Sequence, residues 1–578
     1  MKKSIKKSGQ KIVKKFSRVS KRASIESKEH IKENVFARFS HILNIKLLIF
    51  EWVLLTTALI MLAATQAIWF ADSYAENVFI EGGTYTEATL GKVNSFNPLF
   101  AATNSERALS KLMFLSLVEN DYSGHPGMSL ASSLTTDDSG KVWKMTLRDD
   151  LKWSDGEPIT TEDVIYTIEL LKNPVVSSPY SANLAGTKVE VDKEGKVVFT
   201  LASAYVDFPT ILDIPIVPKH QLDDTSPQTL VEDDFSVDPV VSGPFMLNAT
   251  QTTFSETEKT VYLSANPNYY KKGPMLNTFA LRAYNSKDDL INAVNAGTVS
   301  GTAELSGADS ELITSTQFIK KESSINWGAF MFMNTTNGVL KNRDLRVAIR
   351  KGVDLTKIRS AAPGTIGIDY PIIDSQLKLN NKPALPDYDH EGSAAKIAEI
   401  AGENQIQISL ATVRSGFLPE VTNTLAEELR GLGFDVSVST YDENQDFISN
   451  VISHRNYDIL VYEIELGSDP DPLAYYHSSQ ISANGLNLSN YRNALVDDLL
   501  ISARGTIDNT LRTKKYESFL ELWSNDIPSI GLYQSNLTYI YNKNVRAYGD
   551  NIRLDTPYDR FIDVTNWATN KANKNKTP

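Results

Sequence analysis

The segment from Val142 to Pro174 carries the strongest local pattern in this chain of 578 residues. Trp143, Met145 and Leu147 alternate with polar residues, which is the period of a half-buried strand. Ser154-Asp155-Gly156 then supplies turn residues, and the glycine can adopt a positive φ. The segment therefore begins with a predicted strand and tight turn.

A helix is predicted after this turn. Thr160 and Asp163 have the spacing of a capping box, with a short acid where Glu or Gln is usual. An apolar face follows, and an Asn-Pro pair stops the helix; the apolar residues are Val164, Ile168 and Leu171. The periodicity alone predicts strand, turn and helix, and no function.

The sequence of this segment resembles that of one protein family. The extracytoplasmic solute-binding proteins of peptide-type ABC importers, also called family 5, have a similar block: L-R, then K-W-S-D-G, then P-I-T-x-E-D-V. Other blocks resemble the same family in the expected order: residues 215–220, 241–245, 266–270, 334–354, 467–480 and 527–533. The resemblance covers roughly residues 79–548, so the chain is identified as a member of this family.

The resemblance implies an α/β, two-lobed periplasmic-binding-protein-like fold of type II, class C. The 500 residues from 79 to 578 also exceed what one hydrophobic core usually organises. The expected boundaries follow the family's motifs: lobe I at 79–281, lobe II at 282–528, the return to lobe I at 529–570 and a flexible tail at 571–578. A hinge is expected near 279–284 and 527–533.

The N-terminus predicts a membrane anchor. Residues 1–46 carry fourteen Lys or Arg against three Glu, and 47–70 form a run of 24 residues with one acid, Glu51. About 20 apolar residues span a bilayer, and a basic flank stays in the cytoplasm. We expect an uncleaved helix, a linker at 71–78 and an extracytoplasmic remainder. A cleaved signal peptide is the alternative, although this basic region and apolar run are long for one.

Charge and composition restrict the partners. Residues 47–578 carry 44 basic against 67 acidic side chains, which argues against nucleic acid. The basic arm is interpreted as a flank that contacts anionic lipid. The chain has no cysteine, so disulfides, thiol catalysis and the family's lipid-anchoring cysteine are all excluded. The transmembrane helix is expected to replace that lipid.

Enzyme motifs are missing from the sequence. The seven histidines include no H-x-x-x-H pair, and neither a G-x-S-x-G elbow nor a G-x-x-x-x-G-K loop occurs. Acidic neighbours such as Asp497-Asp498 point apart on a helix and make no two-carboxylate site. We therefore predict a binding protein without catalysis, cofactor or bound metal, and expect it to be monomeric.

The family resemblance implies a peptide held between the lobes, with an acid pairing with its α-ammonium group. Asp469 is the best match to that acid and Asp471 is the second choice. The commoner family pattern has its acid where this chain has Ser468, so the sequence departs from it. A buried ammonium without a partner would be very costly.

Other ligand contacts are implied less directly. The family's N-terminal strand segment corresponds to Val93, Asn94 and Phe96, which a plain strand-to-turn connection explains equally well. The further candidates are Trp327, Tyr462, Tyr475 and His477. Aromatic residues in apolar strands are more often core residues, and an isolated His more often has an ordinary hydrogen bond.

Several functions remain open at this level. The first is a receptor that delivers oligopeptides to an ABC permease and its ATPase. The second is a surface sensor or interaction module that kept the fold. A third keeps transport but changes the solute, to a nickel chelate, haem or an oligosaccharide.

Overall fold

The computed structural model describes residues 46–575, except 177, 179, 185, 254–257, 337, 443–444, 484 and 550. The predicted basic segment, apart from its last residue, and the last three residues of the predicted tail lie outside this range. The chain divides into two compact units, residues 1–78 with 571–578 and residues 79–570.

One long helix dominates the described part of the first unit. It runs from Lys46 to Tyr74, and its residues Ile49–Trp69 are long and apolar enough to cross a membrane, with a mean hydropathy of 1.7. The segment predicted as a linker, 71–78, contains the end of this helix and the start of a strand. It contains no Gly or Pro that would end the helix earlier.

The strands are numbered in chain order: β1 Ala75–Ile80, β2 Thr84–Leu90, β3 Val118–Asn120, β4 Pro126–Met128, β5 Ala131–Thr136, β6 Val142–Leu147, β7 Lys188–Val191, β8 Val197–Thr200, β9 Phe245–Thr252, β10 Glu258–Ala265, β11 Thr278–Tyr284, β12 Gly301–Thr302, β13 Phe318–Met333, β14 Ile366–Gly367, β15 Gln407–Val413, β16 Asp435–Tyr441, β17 Ile459–Glu465, β18 Ser529–Asn542 and β19 Asn570–Asn575.

The α-helices are numbered likewise: α1 Lys46–Tyr74, α2 Asn104–Met113, α3 Thr161–Lys172, α4 Ser181–Leu184, α5 Lys219–Leu222, α6 Lys287–Asn295, α7 Gly307–Ser310, α8 Arg343–Gly352, α9 Leu355–Ser360, α10 His390–Ala401, α11 Leu418–Gly431, α12 Gln445–Phe447, α13 Leu473–Tyr476, α14 Ala494–Arg504 and α15 Asn509–Asp526. Short 3₁₀ segments include Pro557–Asn566.

The second unit is an α/β structure built on one large mixed sheet in the order β16-β15-β17-β13-β18-β12-β2-β11-β10-β9, with a separate sheet β5-β6-β8-β7. Two large apolar cores lie along it. The lobe I core contains Tyr85, Phe279 and Trp567, and the lobe II core contains Phe330 and Leu425. A smaller core, built largely from α13, α14 and α15, lies within the predicted lobe II range.

The first segment analysed from sequence folds as predicted. β6 is followed by a turn with Gly156 at φ 99° and by α3, which Thr160 and Asp163 begin with a capping box. Trp153 is fully buried, and the Asn268 amide donates to the Trp153 and Ser154 carbonyl oxygens at 3.1 Å. These contacts fit the interpretation that this turn maintains the fold.

β13 and β18 connect the lobes. Their pairing runs from Phe318↔Asn542 to Phe332↔Ser529 and is interrupted between Ser324 and Gly328. One end of β18 also pairs with β12 beside β2, whereas β13 pairs with β17 at its other end. β11, expected in the hinge, pairs over its whole length with β2.

The lobe boundaries remain a proposal, but the packing favours a later first boundary. Helix α6 packs against β2 and β11, and its Leu290 and Val294 share a core cluster with Ala88. We therefore propose that the segment after residue 281 stays with lobe I until β13.

Asp555 links lobe I to the crossing strand β13. It accepts from the Asn120 amide at 2.9 Å and from the Asn326 amide at 2.6 Å. Burial, and then the charge of Asp559, raise the pKa of Asp555 from 3.8 to about 7.

Replacing Phe279 tests the lobe I core. Its ring packs against Tyr85, Phe245 and Trp567 and is fully buried. Phe279→Ala should lower the free energy of unfolding by about 3–5 kcal/mol, because truncation leaves a cavity. Chemical denaturation checks this, with Tyr388→Ala, an exposed ring, as the control. Equal losses in both variants would contradict the assignment of this core.

Asp555 also makes stability depend on pH. Its pKa is higher in the folded than in the unfolded protein, so the folded state holds a proton that the unfolded state has lost. Its contribution should therefore decrease as pH rises from about 4 to about 7 and then level off. Asp555→Asn should flatten this decline in urea unfolding, whereas the exposed Asp374→Asn should not. If stability declined with pH as steeply in Asp555→Asn as in the wild type, this role of Asp555 would be contradicted.

Candidate functional site

Charged side chains of both lobes converge between the two large cores. Helix α2 of lobe I carries Arg107 and Lys111 one turn apart, on the same side of the helix. Strand β17 of lobe II ends at Glu465. Glu465 interacts electrostatically with both of these cations, although it belongs to the other lobe. This cluster defines the candidate cleft.

Lys111 is already neutralised by a partner. Its Nζ lies 2.7 Å from an Asp213 carboxylate oxygen. Burial alone would lower the pKa of Lys111, but the nearby charges of Asp213, Glu119 and Asp559 raise it above its ordinary value. Lys111 is therefore a fixed cation held by lobe I itself.

Arg107 and Glu465 have no such partner. Among the residues that the structure describes, neither forms an ion pair, and the Glu465 carboxylate accepts no hydrogen bond. Arg107 lies beside Tyr558 and Tyr180. The Glu465 side chain remains accessible. These two side chains therefore remain available to a ligand.

The cleft is acidic on balance. Desolvation by the surrounding protein raises the pKa values of Glu119, Glu465 and Asp559, although the Glu465 side chain still opens to solvent. Lys111 or Arg107 partly opposes each shift. Carboxylates that are costly to ionise alone gain from a cation brought in by a ligand. The arrangement is therefore suited to bind an ammonium group. Within the described ranges, no group of three or more His, Asp or Glu residues could hold a metal ion.

The two acids predicted from sequence already hold arginines. An Asp469 oxygen lies 2.5 Å from Arg512 Nη2, and its other oxygen accepts from the Tyr205 hydroxyl at 2.9 Å. Asp471 lies 2.5 Å from Arg504 Nε. Binding of an α-ammonium by either acid remains a prediction, and it would require the ligand to displace a guanidinium.

The predicted N-terminal segment serves largely as lobe I core. Val93 and Phe96 are 5 % and 7 % exposed. The Val93 carbonyl accepts from Lys259 Nζ at 3.0 Å, and the Phe96 amide donates to Ser236. Asn94 is exposed and lines a small pocket of about 150 Å³ with Lys259. The described contacts do not connect these three residues to Glu465, and their role as ligand contacts remains a prediction.

Of the predicted aromatic residues, two stand next to Glu465. Trp327 on β13 is directly opposite Glu465 on β17, so the two side chains project from the same face of the sheet. The Tyr475 hydroxyl donates to the Glu465 carbonyl at 2.6 Å. Trp327 and Tyr475 are therefore well placed to line the cleft.

The remaining two predicted residues have other contacts. Tyr462 packs against the lobe II core, with its ring 5.9 Å from that of Phe447. His477 Nδ1 lies 2.8 Å from the Ser479 hydroxyl, and its Nε2 lies 3.9 Å from Asp497. Neither contact involves the charged cluster, and ligand binding by these residues also stays a prediction.

Sequence reasoning missed Glu465, Arg107 and Lys111. One signal was present for Glu465, because this acid directly follows the predicted strand Ile459–Ile464 and stands two residues before Gly467-Ser468. Arg107 and Lys111 gave no such signal, since cations one turn apart are typical of a solvated helix face. Only the approach of the two lobes identifies them.

Comparisons with known proteins agree with this architecture. Oligopeptide-binding protein AppA of Bacillus subtilis (strain 168) is 23% identical over 496 residues, covering 81% of this chain and 89% of AppA. Periplasmic oligopeptide-binding protein OppA of Escherichia coli (strain K12) is 34% identical over 114 residues, 20% of this chain and 21% of OppA.

Solved structures share the two-lobed fold. The structure of Bacillus subtilis AppA in complex with a nonapeptide has a TM-score of 0.72 at 21% identity and covers 85% of this chain and 99% of AppA. NikZ from Campylobacter jejuni in complex with Ni(L-His) has a TM-score of 0.71 at 21% identity and covers 84% of this chain and 99% of NikZ.

The family assignment rests on the central part of the chain. Residues 125–487 match the family described as "Bacterial extracellular solute-binding proteins, family 5 Middle". This match covers more than half of the chain and includes lobe I segments and the greater part of lobe II. The chain belongs to family 5 of the bacterial extracellular solute-binding proteins.

Proposed function

We propose that this protein is the substrate-binding component of an ABC importer and captures oligopeptides between its two lobes. Family membership supports solute binding, and the oligopeptide-binding relatives AppA and OppA support peptide as the solute. The protein would deliver its ligand to a permease and an ATPase, and it would act as a monomer. Solute binding in this family involves no catalysis.

The observation that carries this proposal is the unpaired Glu465 carboxylate between the lobes. An extended peptide has a positive charge at its amino end, and an acidic cleft with one unneutralised carboxylate complements that charge. We infer that Glu465, and not Asp469, pairs with the α-ammonium. Asp469 would first have to give up its buried ion pair with Arg512, which is costly because both side chains are largely shielded from water.

Arg107 is the complementary residue on lobe I. Its guanidinium faces Glu465 from the other side of the cleft and suits a peptide carbonyl or carboxylate. Trp327 and Tyr475 would supply apolar contact next to Glu465. A ligand that contacts both lobes favours their closed arrangement, because it binds that arrangement more tightly. Backbone hydrogen bonds and water-filled side-chain pockets would keep selectivity broad.

A different solute is the second candidate. NikZ, with bound Ni(L-His), shares the fold, but its sequence identity of 21% is too low for its ligand class to be inferred for this chain. The described residues contain no cluster suited to a metal. A chelate, haem or an oligosaccharide would also make little use of an acidic anchor. Transport assays would distinguish a sensor module that retained the fold from a receptor of an importer.

Native mass spectrometry tests peptide capture. The full-length protein, extracted in detergent and gently denatured, should release a series of peptides several residues long. Glu465→Gln should weaken binding at least about tenfold, because it removes a charge-assisted hydrogen bond to the ammonium. Glu399→Gln, an exposed surface acid, is the matched control and should leave binding unchanged.

N-acetylated peptides separate the two anchor residues. Wild type and Asp469→Asn should both prefer free over N-acetylated peptides, whereas Glu465→Gln should lose that preference. The opposite pattern would return the anchor to Asp469. A protein that carries no peptide and shows no thermal shift with added peptide pools would contradict peptide capture itself.

We also propose that α1 anchors the protein in the cell membrane as a single pass, with the N-terminus in the cytoplasm and the binding domain outside. The apolar length of Ile49–Trp69 and the basic residues before it support this topology. An N-terminal tag should therefore stay on the mature protein and resist extraction with alkaline carbonate. Loss of the tag on export would instead indicate a cleaved signal peptide.

A further inference from the structure

One short segment of lobe I reaches across to lobe II, away from β13 and β18. Residues 204–207 carry Tyr205, which is part of the lobe I core cluster. The Val206 amide donates to the Arg504 carbonyl at 3.0 Å. A Cβ atom at position 505 would lie only 2.9 Å from the Cβ of Ala204. Because Gly505 has no side chain, the two segments can come this close.

Arg512 forms the centre of this contact. Its Nη2 is within ion-pair distance of Asp207 in lobe I and lies 2.5 Å from Asp469 in lobe II. The side chains of Arg512 and Asp469 are only 9 % and 8 % exposed. Opening would break the pair with Asp207, whose side chain is 31 % exposed, and the buried Arg512 end makes this pair more costly to break than a surface pair.

Further groups strengthen the same contact. The Tyr205 hydroxyl donates to Asp469 at 2.9 Å, which adds a second link between the lobes. Arg504 lies over the Tyr205 ring at 4.2 Å and is itself held by Asp471.

We propose that Arg512, bridging Asp207 and Asp469, is a latch that holds the two lobes together at this edge and sets how often the ligand-free protein closes. Closing then does not depend on ligand alone. Because the latch contacts exist only when the lobes meet, weakening them shifts the population towards the open form.

The latch is coupled to protons. The groups that face Asp469 are Asp207 and Tyr205 from lobe I, Asp471 on its own segment, Arg504 from α14, and Arg512 and Tyr516 from α15. Together with Asp469 itself, the cluster contains three carboxylates and two guanidinium groups, so it has one negative charge in excess.

Lowering the pH should therefore favour closure. Burial, followed by the charges of Asp207 and Asp471, raises the pKa of Asp469 well above its ordinary value when the lobes meet. Opening would expose Asp469 to water and take the charge of Asp207 away from it, while Asp471 stays on the same segment. The closed form thus retains a proton that the open form releases, and closure weakens as pH rises through the raised pKa.

Distance measurements between the lobes test the latch. The chain contains no cysteine, so Lys193→Cys in lobe I and Glu403→Cys in lobe II give two unique labelling sites, both exposed. Single-molecule fluorescence energy transfer on the labelled full-length protein, freed of ligand by partial unfolding and dialysis, would report closed and open populations. This readout does not depend on what the protein binds.

Asp207→Asn should lower the ratio of closed to open molecules about tenfold or more. Tyr205→Phe, which removes only a hydroxyl, should shift it in the same direction if Asp207→Asn does not fold. Asp442→Asn is the matched control, because its pair with Arg414 is exposed and lies within lobe II. It should leave the ratio unchanged.

Acidification from pH 8 to pH 5 should raise the closed fraction of the wild type, and Asp469→Asn should remove that dependence. An unchanged ratio in Asp207→Asn and Tyr205→Phe, or a fully open ligand-free wild type, would overturn the latch. A latch that responds to these variants but not to pH would overturn the proton coupling.

Discussion

The antiparallel pairing of β13 with β18 is the interaction on which the rest of the structure depends. These strands continue one sheet through both lobes, so the lobes share hydrogen bonds and not merely a flexible linker. Their register is interrupted between Ser324 and Gly328, where the two cores separate. We propose that a hinge between the two lobes lies at this interruption, because the fewest ladder hydrogen bonds would change there. Glu465 and Arg107 face one another because this crossing sets the distance between the lobes.

Charge compensation then decides which side chains are left for a ligand. Lys111 is neutralised by Asp213, Asp471 by Arg504, and Asp469 by Arg512. Each pair satisfies the requirement that a desolvated charge has a partner. Glu465 and Arg107 form no ion pair in the described part of the cleft, and they belong to opposite lobes. Asp469 and Asp471, the acids that match the family's motif, therefore stabilise the protein's own structure. The nearby Glu465 is available for the ligand.

The family, the fold and the local structure of Val142–Pro174 could be predicted from sequence, because they depend on periodicity, turn residues and a capping box that act over a few residues. The strand Ile459–Ile464 was also predicted, within one residue of β17. The site was predicted less well. Asp469 was chosen from its position in a motif, whereas its partners Tyr205 and Arg512 are far away in sequence. Pairing over such distances leaves no periodic pattern, so only the folded chain reveals it.

The central claim is that a ligand binds between the lobes and contacts both of them. Hydrogen–deuterium exchange on the full-length protein, with and without a peptide pool, tests it most directly. The account predicts that peptide slows exchange both in α2, which carries Arg107, and in the segment from Glu465 to Tyr476. Protection of only one lobe, or of neither, would contradict binding in the cleft.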